Sequence, residues 1–284
     1  MINVYYPFYR HFKCIAGNCP MNCCADFKIS FFKWEEKQFN TKLEWQNIDG
    51  KGNNIASYLD HDTTGWFCKS SVKGTCIFWG EDSLCNIQKR YGPNAMPSVC
   101  RTFPRVVTKY PNRMEYALDA CCPVVAASVW SWEIGKFVTD GTPCGNESTA
   151  EDLLTERRNA AISILADETT CFHDCLEKIA EIFKCDNVRI PEIVLSDEKV
   201  SFIRKLTLVL IWENILRHEQ TPEGNVIITL LLQFLTSFSI HLEKREYASR
   251  WEMSVDFSRN YVQFVKGTPI EPDDEKRFTD IIPE

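Results

Sequence analysis

The chain has 284 residues and a formal net charge of −7, from 32 basic and 39 acidic side chains. A negative surface repels phosphate backbones and anionic lipids, so this balance argues against nucleic-acid-binding and membrane-surface proteins. The N-terminus lacks a basic segment followed by an apolar one, and the most apolar run, residues 226–235, is short and contains Thr229 and Gln233. We therefore expect a cytoplasmic protein without an export signal or a transmembrane helix.

The 14 cysteines are the unusual feature of the composition. In the reducing cytosol persistent disulfides are rare, so dense thiols indicate a metal or redox centre. The alternative is buried free thiols that pack as small hydrophobic side chains. That alternative suits the four C-terminal cysteines, at positions 144, 171, 175 and 185. It fits poorly the ten that lie in the first 122 residues: Cys14, Cys19, Cys23, Cys24, Cys68, Cys76, Cys85, Cys100, Cys121 and Cys122.

The N-terminal half consists of short elements interrupted by Gly, Pro and Asn. Alternating polarity predicts strands, 3.6-residue spacing predicts helices, and polar turns between apolar runs predict hairpins. In chain order we expect a strand at 27–31, a helix at 34–43, a hairpin pairing 66–68 with 76–78, a helix at 83–91, a hairpin pairing 106–110 with 114–118, and a helix at 123–132.

The C-terminal half is helical by pattern. A capping-box spacing at 148–151 begins a helix that ends near residue 166, and Pro222 begins another. Further helices are expected at 170–183, after Ser196 and at 247–265. We therefore predict an α+β protein: a small cysteine-rich α/β metal-binding domain with short hairpins at 1–145, and an all-α domain at 146–284.

The first four cysteines lie within eleven residues, in a loop rich in Gly, Pro and Asn. Such a loop can fold around one ion or cluster, and thiolates favour zinc or iron–sulfur clusters over hard cations. Side chains of adjacent strand residues diverge, so Cys23 and Cys24 are expected to serve different roles or different metals.

Cys122 precedes Pro123, which is a favoured first residue of a helix, so we expect Cys122 to be the N-cap. The helix dipole there favours a thiolate, whereas Cys121 is expected to point into the core. Arg101 and Arg105 either neutralise the negative charge of a thiolate site or lie on a solvated face.

No phosphate-binding loop, nucleophile elbow or dinucleotide fingerprint is present, and the five histidines lack metal-ligand spacing. Acidic and phenolic side chains near the cysteine blocks are candidates for a proton acceptor, but none is singled out: Tyr5, Tyr6, Asp26, Glu115 and Asp119.

Short blocks around the cysteines follow one another in a defined order up to Pro123. They are Tyr6-Pro7, Phe12-Lys13-Cys14-Ile15, Cys19, Cys23-Cys24, Gly74-Thr75-Cys76-Ile77-Phe78, Leu84-Cys85-Asn86-Ile87, Cys100-Arg101-Thr102-Phe103-Pro104-Arg105, and Leu118 with Cys122-Pro123. This order resembles the start of the FliB-type flagellin lysine N-methylase family. Part of it is shared with a wider group of zinc- or iron-chelating cysteine-rich domains.

The resemblance implies a protein-lysine N-methyltransferase that acts on flagellin, with S-adenosylmethionine as methyl donor and a 4Fe–4S cluster. Zinc is the alternative metal or occupies a second site. Cys68 and Cys121 are outside the family pattern. The cluster ligands that the resemblance implies are Cys14, Cys19, Cys23, Cys24, Cys76, Cys85, Cys100 and Cys122.

Two departures from known patterns qualify this expectation. The spacing from Cys19 to Cys24 is not the C-x3-C-x2-C loop of radical enzymes that use S-adenosylmethionine, so the sequence does not indicate radical cleavage. Family members continue beyond a segment similar to residues 278–283, so the chain is expected to be a short or truncated homologue. The alternative function is a non-catalytic zinc- or iron-binding module that organises a protein-interaction surface.

Overall fold

The computed structural model describes residues 1–133, 136–141, 150–185, 188–218 and 225–267. Within these ranges the strands are β1 (Ile2–Tyr5), β2 (Leu59–Asp62), β3 (Gly65–Cys68), β4 (Arg105–Lys109), β5 (Arg113–Leu118) and β6 (Val138–Gly141). The helices are α1 (Cys23–Asp26), α2 (Lys33–Glu36), α3 (Leu43–Gln46), α4 (Asn86–Tyr91), α5 (Ser98–Thr102), α6 (Pro123–Ser128), α7 (Ala150–Ala166), α8 (Phe172–Ile182), α9 (Asp197–His218), α10 (Asn225–Glu243) and α11 (Arg250–Gly267). The predicted α+β class is confirmed.

Two compact units make up the described chain. The first, which we call the helical unit, contains residues 1–12 and the described residues from Pro104 onward; the second, the cysteine unit, contains residues 13–103. The β4–β5 hairpin lies with the C-terminal helices because β1 pairs with β5 and α9 packs on β5. These units divide the described chain after residues 12 and 103. The boundary after residue 145 concerns domains that fold separately, and it stays a prediction.

The helical unit contains a four-stranded sheet in the order β4-β5-β1-β6. Strand β1 runs parallel to β5, with Val4 beside Glu115, and antiparallel to β6. The hairpin of β4 and β5 is the one predicted at 106–118, and its turn is closed by the Tyr110 amide donating to the Arg113 carbonyl at 2.8 Å. The helix predicted after Cys122 is also confirmed as α6, followed by a 3₁₀ turn at Val129–Ser131.

The described C-terminal residues form five helices, as the sequence pattern predicted. The predicted capping box at 148–151 and the helix start at Pro222 involve residues outside the described ranges. Helix α10 corrects one expectation. It is 19 residues long and, by length and composition only, apolar enough to cross a membrane, because it continues past residue 235 to Glu243. Half of that apolar window is buried inside the protein, as in the core helix of a soluble protein, so the helix is weak evidence for a membrane.

The cysteine unit has short helices and turns around an aromatic core. Trp45 is fully buried at its centre, its indole N–H donates to the Ala95 carbonyl at 2.6 Å, and Phe31 and Phe39 pack edge-on against each other. The Glu35 carboxylate is also buried and accepts from the amides of Phe32 and Ser98, which joins α2 to the start of α5.

Three predictions for this unit were wrong. Strand β3 pairs with β2 rather than with residues 76–78, which make only the isolated bridge Ser70–Cys76. Residues 27–31 form one bridge, between Ser30 and Phe67, and the helix expected at 34–43 is replaced by α2, a series of turns and α3. Tertiary packing of aromatic side chains decides these local structures, and polarity alternation alone does not report it.

Candidate metal centre

Six thiols of the cysteine unit lie close enough to perturb one another's ionisation. Five of them belong to the eight predicted ligands, and the sixth, Cys68, was placed outside the family pattern. They come from five segments of the chain, so the tertiary fold, and not their spacing in the sequence, brings them together. The six, which we call the thiol cluster, are Cys23, Cys24, Cys68, Cys76, Cys85 and Cys100.

Cys23 and Cys24 occupy the first turn of α1. The Asn22 side chain accepts the Cys24 amide at 2.9 Å and caps this turn, so the backbone is helical rather than extended. The two thiols are hydrogen-bonded to each other, which together with burial raises the pKa of Cys24. The expectation that adjacent cysteines diverge was derived for a strand and does not hold for a helical turn.

Cys68 and Cys76 form a second hydrogen-bonded thiol pair. This contact raises the pKa of the Cys68 thiol and lowers that of the Cys76 thiol. The amide of Cys76 donates to the carbonyl of Cys24, which links the two pairs through the backbone. The sequence signal for Cys68 was its place at the end of an apolar strand, which equally suits a packing residue.

Cys85 and Cys100 complete the thiol cluster. Cys85 is the N-cap residue of α4, and burial raises its pKa while the backbone amides of Gln88 and Ile87 partly oppose the shift. Cys100 lies in α5, where burial is the largest cause of its raised pKa and the negative charges of neighbouring thiolates add to it.

The chemistry of the donors fits a soft metal. Sulfur ligands select zinc, copper(I) or iron–sulfur clusters, and a bound cation displaces the protons that these buried thiols otherwise hold. Around one tetrahedral zinc with Zn–S bonds of about 2.3 Å, the sulfurs lie about 3.8 Å apart. We also searched the described ranges for three or more His, Cys or carboxylate ligand atoms within 4.8 Å of one another. The one group found consists of His173, Asp174 and Glu177. The cluster thiols form two hydrogen-bonded pairs, and their donor type does not distinguish zinc from an iron–sulfur cluster.

His173, Asp174 and Glu177 lie together near the start of α8, and both carboxylate residues are exposed. His173 Nε2 lies 3.3 Å from Glu177 Oε1 one helical turn away, an ordinary surface pair.

For the other three predicted ligands the structure gives local contacts. Cys14 and Cys19 flank the 3₁₀ turn Ala16–Asn18 in the cysteine unit; the Cys14 thiol accepts the Ala16 amide at 3.3 Å, and the Cys19 thiol donates to the Met21 carbonyl at 2.7 Å. Cys122 is the N-cap residue of α6, as predicted, but it belongs to the helical unit. Its role as a ligand stays a prediction.

The cysteines predicted to be packing residues separate into two types. Cys175 and Cys185 are buried, as expected, whereas Cys171 is exposed and caps α8 by accepting the Asp174 amide at 3.4 Å. Cys121 is buried, also as expected. Cys144 lies outside the described residues.

The two arginines expected either to neutralise thiolates or to lie on a solvated face have different surroundings. Arg105 belongs to the helical unit, where it donates to the Phe12 carbonyl and lies over the Phe12 ring. Arg101 is exposed and donates to the Ser98 hydroxyl at 2.9 Å.

The described candidates for a proton acceptor are engaged in structural contacts. Glu115 forms a two-pronged ion pair with the buried Arg158, and Asp119 accepts the Cys121 amide. Tyr6 is buried and hydrogen-bonded to the Ser128 hydroxyl, and its pKa is raised by burial. Tyr5 is stacked on Tyr116, and the side chain of Asp26 is outside the description.

The amino-acid sequence is similar to those of three known bacterial proteins. The flagellar biosynthetic protein FliU of Salmonella muenchen is 29% identical over 123 residues, which is 43% of this chain and 73% of FliU. Two proteins named lysine-N-methylase, from Salmonella choleraesuis and Salmonella typhimurium, are 28% and 27% identical over 123 and 124 residues. The chain is therefore similar, over about two fifths of its length, to a FliU protein and to proteins named lysine-N-methylase.

The matched segment spans 31% of each of these two lysine-N-methylases and 43% of this chain. No family model and no solved structure matches the chain. The chain thus spans less than a third of the length of the two relatives that are named lysine-N-methylase.

Proposed function

We propose that the protein is a protein-lysine N-methyltransferase that uses S-adenosylmethionine, acts on flagellin in the cytoplasm and carries an iron–sulfur cluster. The observation that carries the proposal is the similarity to proteins named lysine-N-methylase, supported for the substrate by the similarity to a flagellar biosynthetic protein. The thiol cluster supports the metal part of the proposal independently of those names.

Methyl transfer to lysine is a polar displacement. The ammonium first loses a proton to solvent water, because only the neutral amine has a lone pair to attack the sulfonium methyl group. The new N–C bond forms as the C–S bond breaks, and S-adenosylhomocysteine leaves with the electron pair. A desolvated site lowers the pKa of the substrate lysine and so favours this neutral form.

The thiol cluster would hold the iron–sulfur group. When bound, such a group cross-links the segments that carry its thiolates and can exchange an electron. The chain itself positions the six thiols. Five lie in the first turn of α1, at the end of β3 and at the starts of α4 and α5, and the sixth, Cys76, is held by its amide bond to the Cys24 carbonyl. This arrangement gives the cysteine unit a role in stabilising the protein.

The test is methyl transfer by the purified, metal-loaded protein. Purified unmethylated flagellin, S-adenosylmethionine and the protein should give a flagellin whose lysines gain methyl groups by mass spectrometry, together with S-adenosylhomocysteine. Cys100→Ser should lower the yield, since it removes a thiol of the cluster. Cys171→Ser is the matched control, because serine retains the capping role on α8 and the site is exposed.

The two functions predict different binding of the methyl donor. Calorimetric titration of metal-loaded protein with S-adenosylmethionine should show saturable binding. No detectable binding together with no methylated lysine would contradict the methyltransferase and favour the non-catalytic metal-binding module.

A further inference from the structure

A histidine on α10 and a buried aspartate on α11 form a close pair in the helical unit. The Nε2 atom of His241 lies 2.7 Å from the Oδ2 atom of Asp256. We infer that His241 accepts the proton that the substrate lysine loses and passes it to solvent water, and that Asp256 is its positioning residue. The inference rests on the methyl transfer in the proposed function and adds to it the group that carries this proton.

The Asp256 carboxylate is held in place by several donors besides the imidazole. Only 6% of its side chain is exposed. It accepts hydrogen bonds from the Tyr247 hydroxyl at 2.6 Å and from the Asn260 side-chain amide at 3.4 Å, and the Arg245 guanidinium lies 3.7 Å away. Because these groups already satisfy the buried carboxylate, it does not need a histidine as a hydrogen-bond donor.

The imidazole of His241 is oriented from two sides. A carboxylate accepts hydrogen bonds and cannot donate them, so Nε2 carries the proton in the contact with Asp256. The Phe238 ring stacks on the imidazole, with 5.6 Å between the ring centres. Among the described residues Nδ1 has no hydrogen-bond partner, and 36% of the side chain is exposed. The neutral ring therefore offers the lone pair of Nδ1 to a molecule that approaches from solvent.

His173 provides the contrast within the same unit. Its Nε2 atom lies 3.3 Å from the exposed carboxylate of Glu177, and its Nδ1 atom lies 3.3 Å from the Pro191 carbonyl oxygen. His241 differs in both respects, since its carboxylate is buried and its second nitrogen is open. A buried carboxylate on one ring nitrogen and a reactant on the other is the arrangement in which an imidazole acts as a general base.

The proton transfer precedes the transfer of the methyl group. An N–H bond of the lysine ammonium breaks, its electron pair stays on the amine, and the lone pair of Nδ1 forms the new N–H bond. Asp256 stabilises the resulting imidazolium, which then gives this proton to solvent water and returns to the same tautomer. Imidazole is a stronger base than water, so this route supplies the neutral amine faster than direct loss to water.

Glutamine at position 241 separates the proton acceptor from a purely structural link. Its side-chain amide can still donate to Asp256 but has no basic lone pair. We expect His241→Gln to lower kcat for the methylation of flagellin by about 100-fold or more, with little change in KM, because a general base contributes that much. His173→Gln is the matched control and should keep both values. Added imidazole should restore part of the activity of His241→Ala.

The two proposals fail in different ways. If the wild type methylates lysine and His241→Gln has an unchanged kcat, the inference is overturned, and His241 only joins α10 to α11. If the wild-type protein itself transfers no methyl group, the proposed function is overturned, and the role of His241 with it.

Nuclear magnetic resonance of wild-type protein decides the question if the variants do not fold. The ¹⁵N shifts of the neutral His241 ring should show a protonated Nε2 and an unprotonated Nδ1. Unmethylated flagellin added with S-adenosylhomocysteine should change the His241 signals and leave those of His173 unchanged. In Asp256→Asn, whose amide can donate to Nε2, the ring proton should move to Nδ1. A wild-type ring protonated on Nδ1, or His241 signals that do not respond to flagellin, would overturn the inference.

Discussion

At the scale of single residues, the thiol cluster is a set of acids whose ionisation depends on their neighbours. Burial or a thiol contact raises the pKa of Cys24, Cys68, Cys85 and Cys100, whereas the contact from Cys68 lowers that of Cys76. Without metal, the folded state therefore holds most of these protons more tightly than the unfolded chain does.

This difference predicts how the stability of the metal-free protein depends on pH. A group whose folded-state pKa is raised contributes stability below its unfolded pKa and loses it as pH rises. The free energy of unfolding should therefore fall between about pH 8 and about pH 10, by up to about 1.4 kcal/mol for each tenfold difference in one thiol's acid dissociation constant between the folded and unfolded states. The lowered pKa of Cys76 works in the opposite direction and reduces the net effect.

Urea denaturation of metal-free protein at a series of pH values measures this effect. Metal affinity should show the opposite dependence and rise with pH, because binding releases thiol protons. An unfolding free energy that stays constant over this range would contradict the raised pKa values of the buried thiols.

At the scale of elements, the helical unit is held by a buried ion pair between β5 and α7. Arg158 donates two hydrogen bonds of 2.7 Å to Glu115, and its guanidinium lies 4.0 Å from the centre of the Trp212 ring on α9. Arg113 contributes a third bond to the same carboxylate at 2.7 Å. The pair therefore links the sheet to two of the long helices.

Removing the arginine should destabilise the protein strongly. Arg158→Met leaves the Glu115 carboxylate buried with one arginine partner instead of two, and we expect a loss of about 3–5 kcal/mol in the free energy of unfolding. The control is Arg259→Met on the exposed side of α11, which should change it by less than about 0.5 kcal/mol. Similar losses for both variants would mean that the ion pair has no special role.

The long helices and the β4–β5 hairpin could be predicted because their apolar stripes and turn residues are local signals. The partner of β3 could not, because β2 contains Asp60, His61 and Asp62 and shows no alternation. The site was half predictable for the same reason. Cysteine type and order indicated the metal chemistry, but the inclusion of Cys68 depends on a tertiary pairing that sequence spacing does not report.

At the scale of the whole molecule, the two units differ in how they are stabilised. The helical unit has long helices with wide buried faces, whereas helices of the cysteine unit contain four to six residues. Such short helices have little stability of their own, so the proposed metal, which would join five segments, would contribute strongly to the stability of that unit.

Metal removal should therefore act on one unit. After chelation under reducing conditions, backbone amides of α4 and α5 should exchange with solvent faster, while those of α9 keep their protection. Hydrogen exchange followed by mass spectrometry compares the metal-loaded and metal-free states. Equal changes in both units, or none in α4 and α5, would contradict a metal centre located in the thiol cluster.

The central claim is that the thiol cluster holds an iron–sulfur group, and the most direct measurement is the metal content and visible spectrum of anaerobically purified protein. We expect a brown protein that contains iron and acid-labile sulfide in equal amounts, and a Cys76→Ser variant that has lost most of both. A colourless wild-type protein that contains zinc alone, or no metal, would contradict the claim.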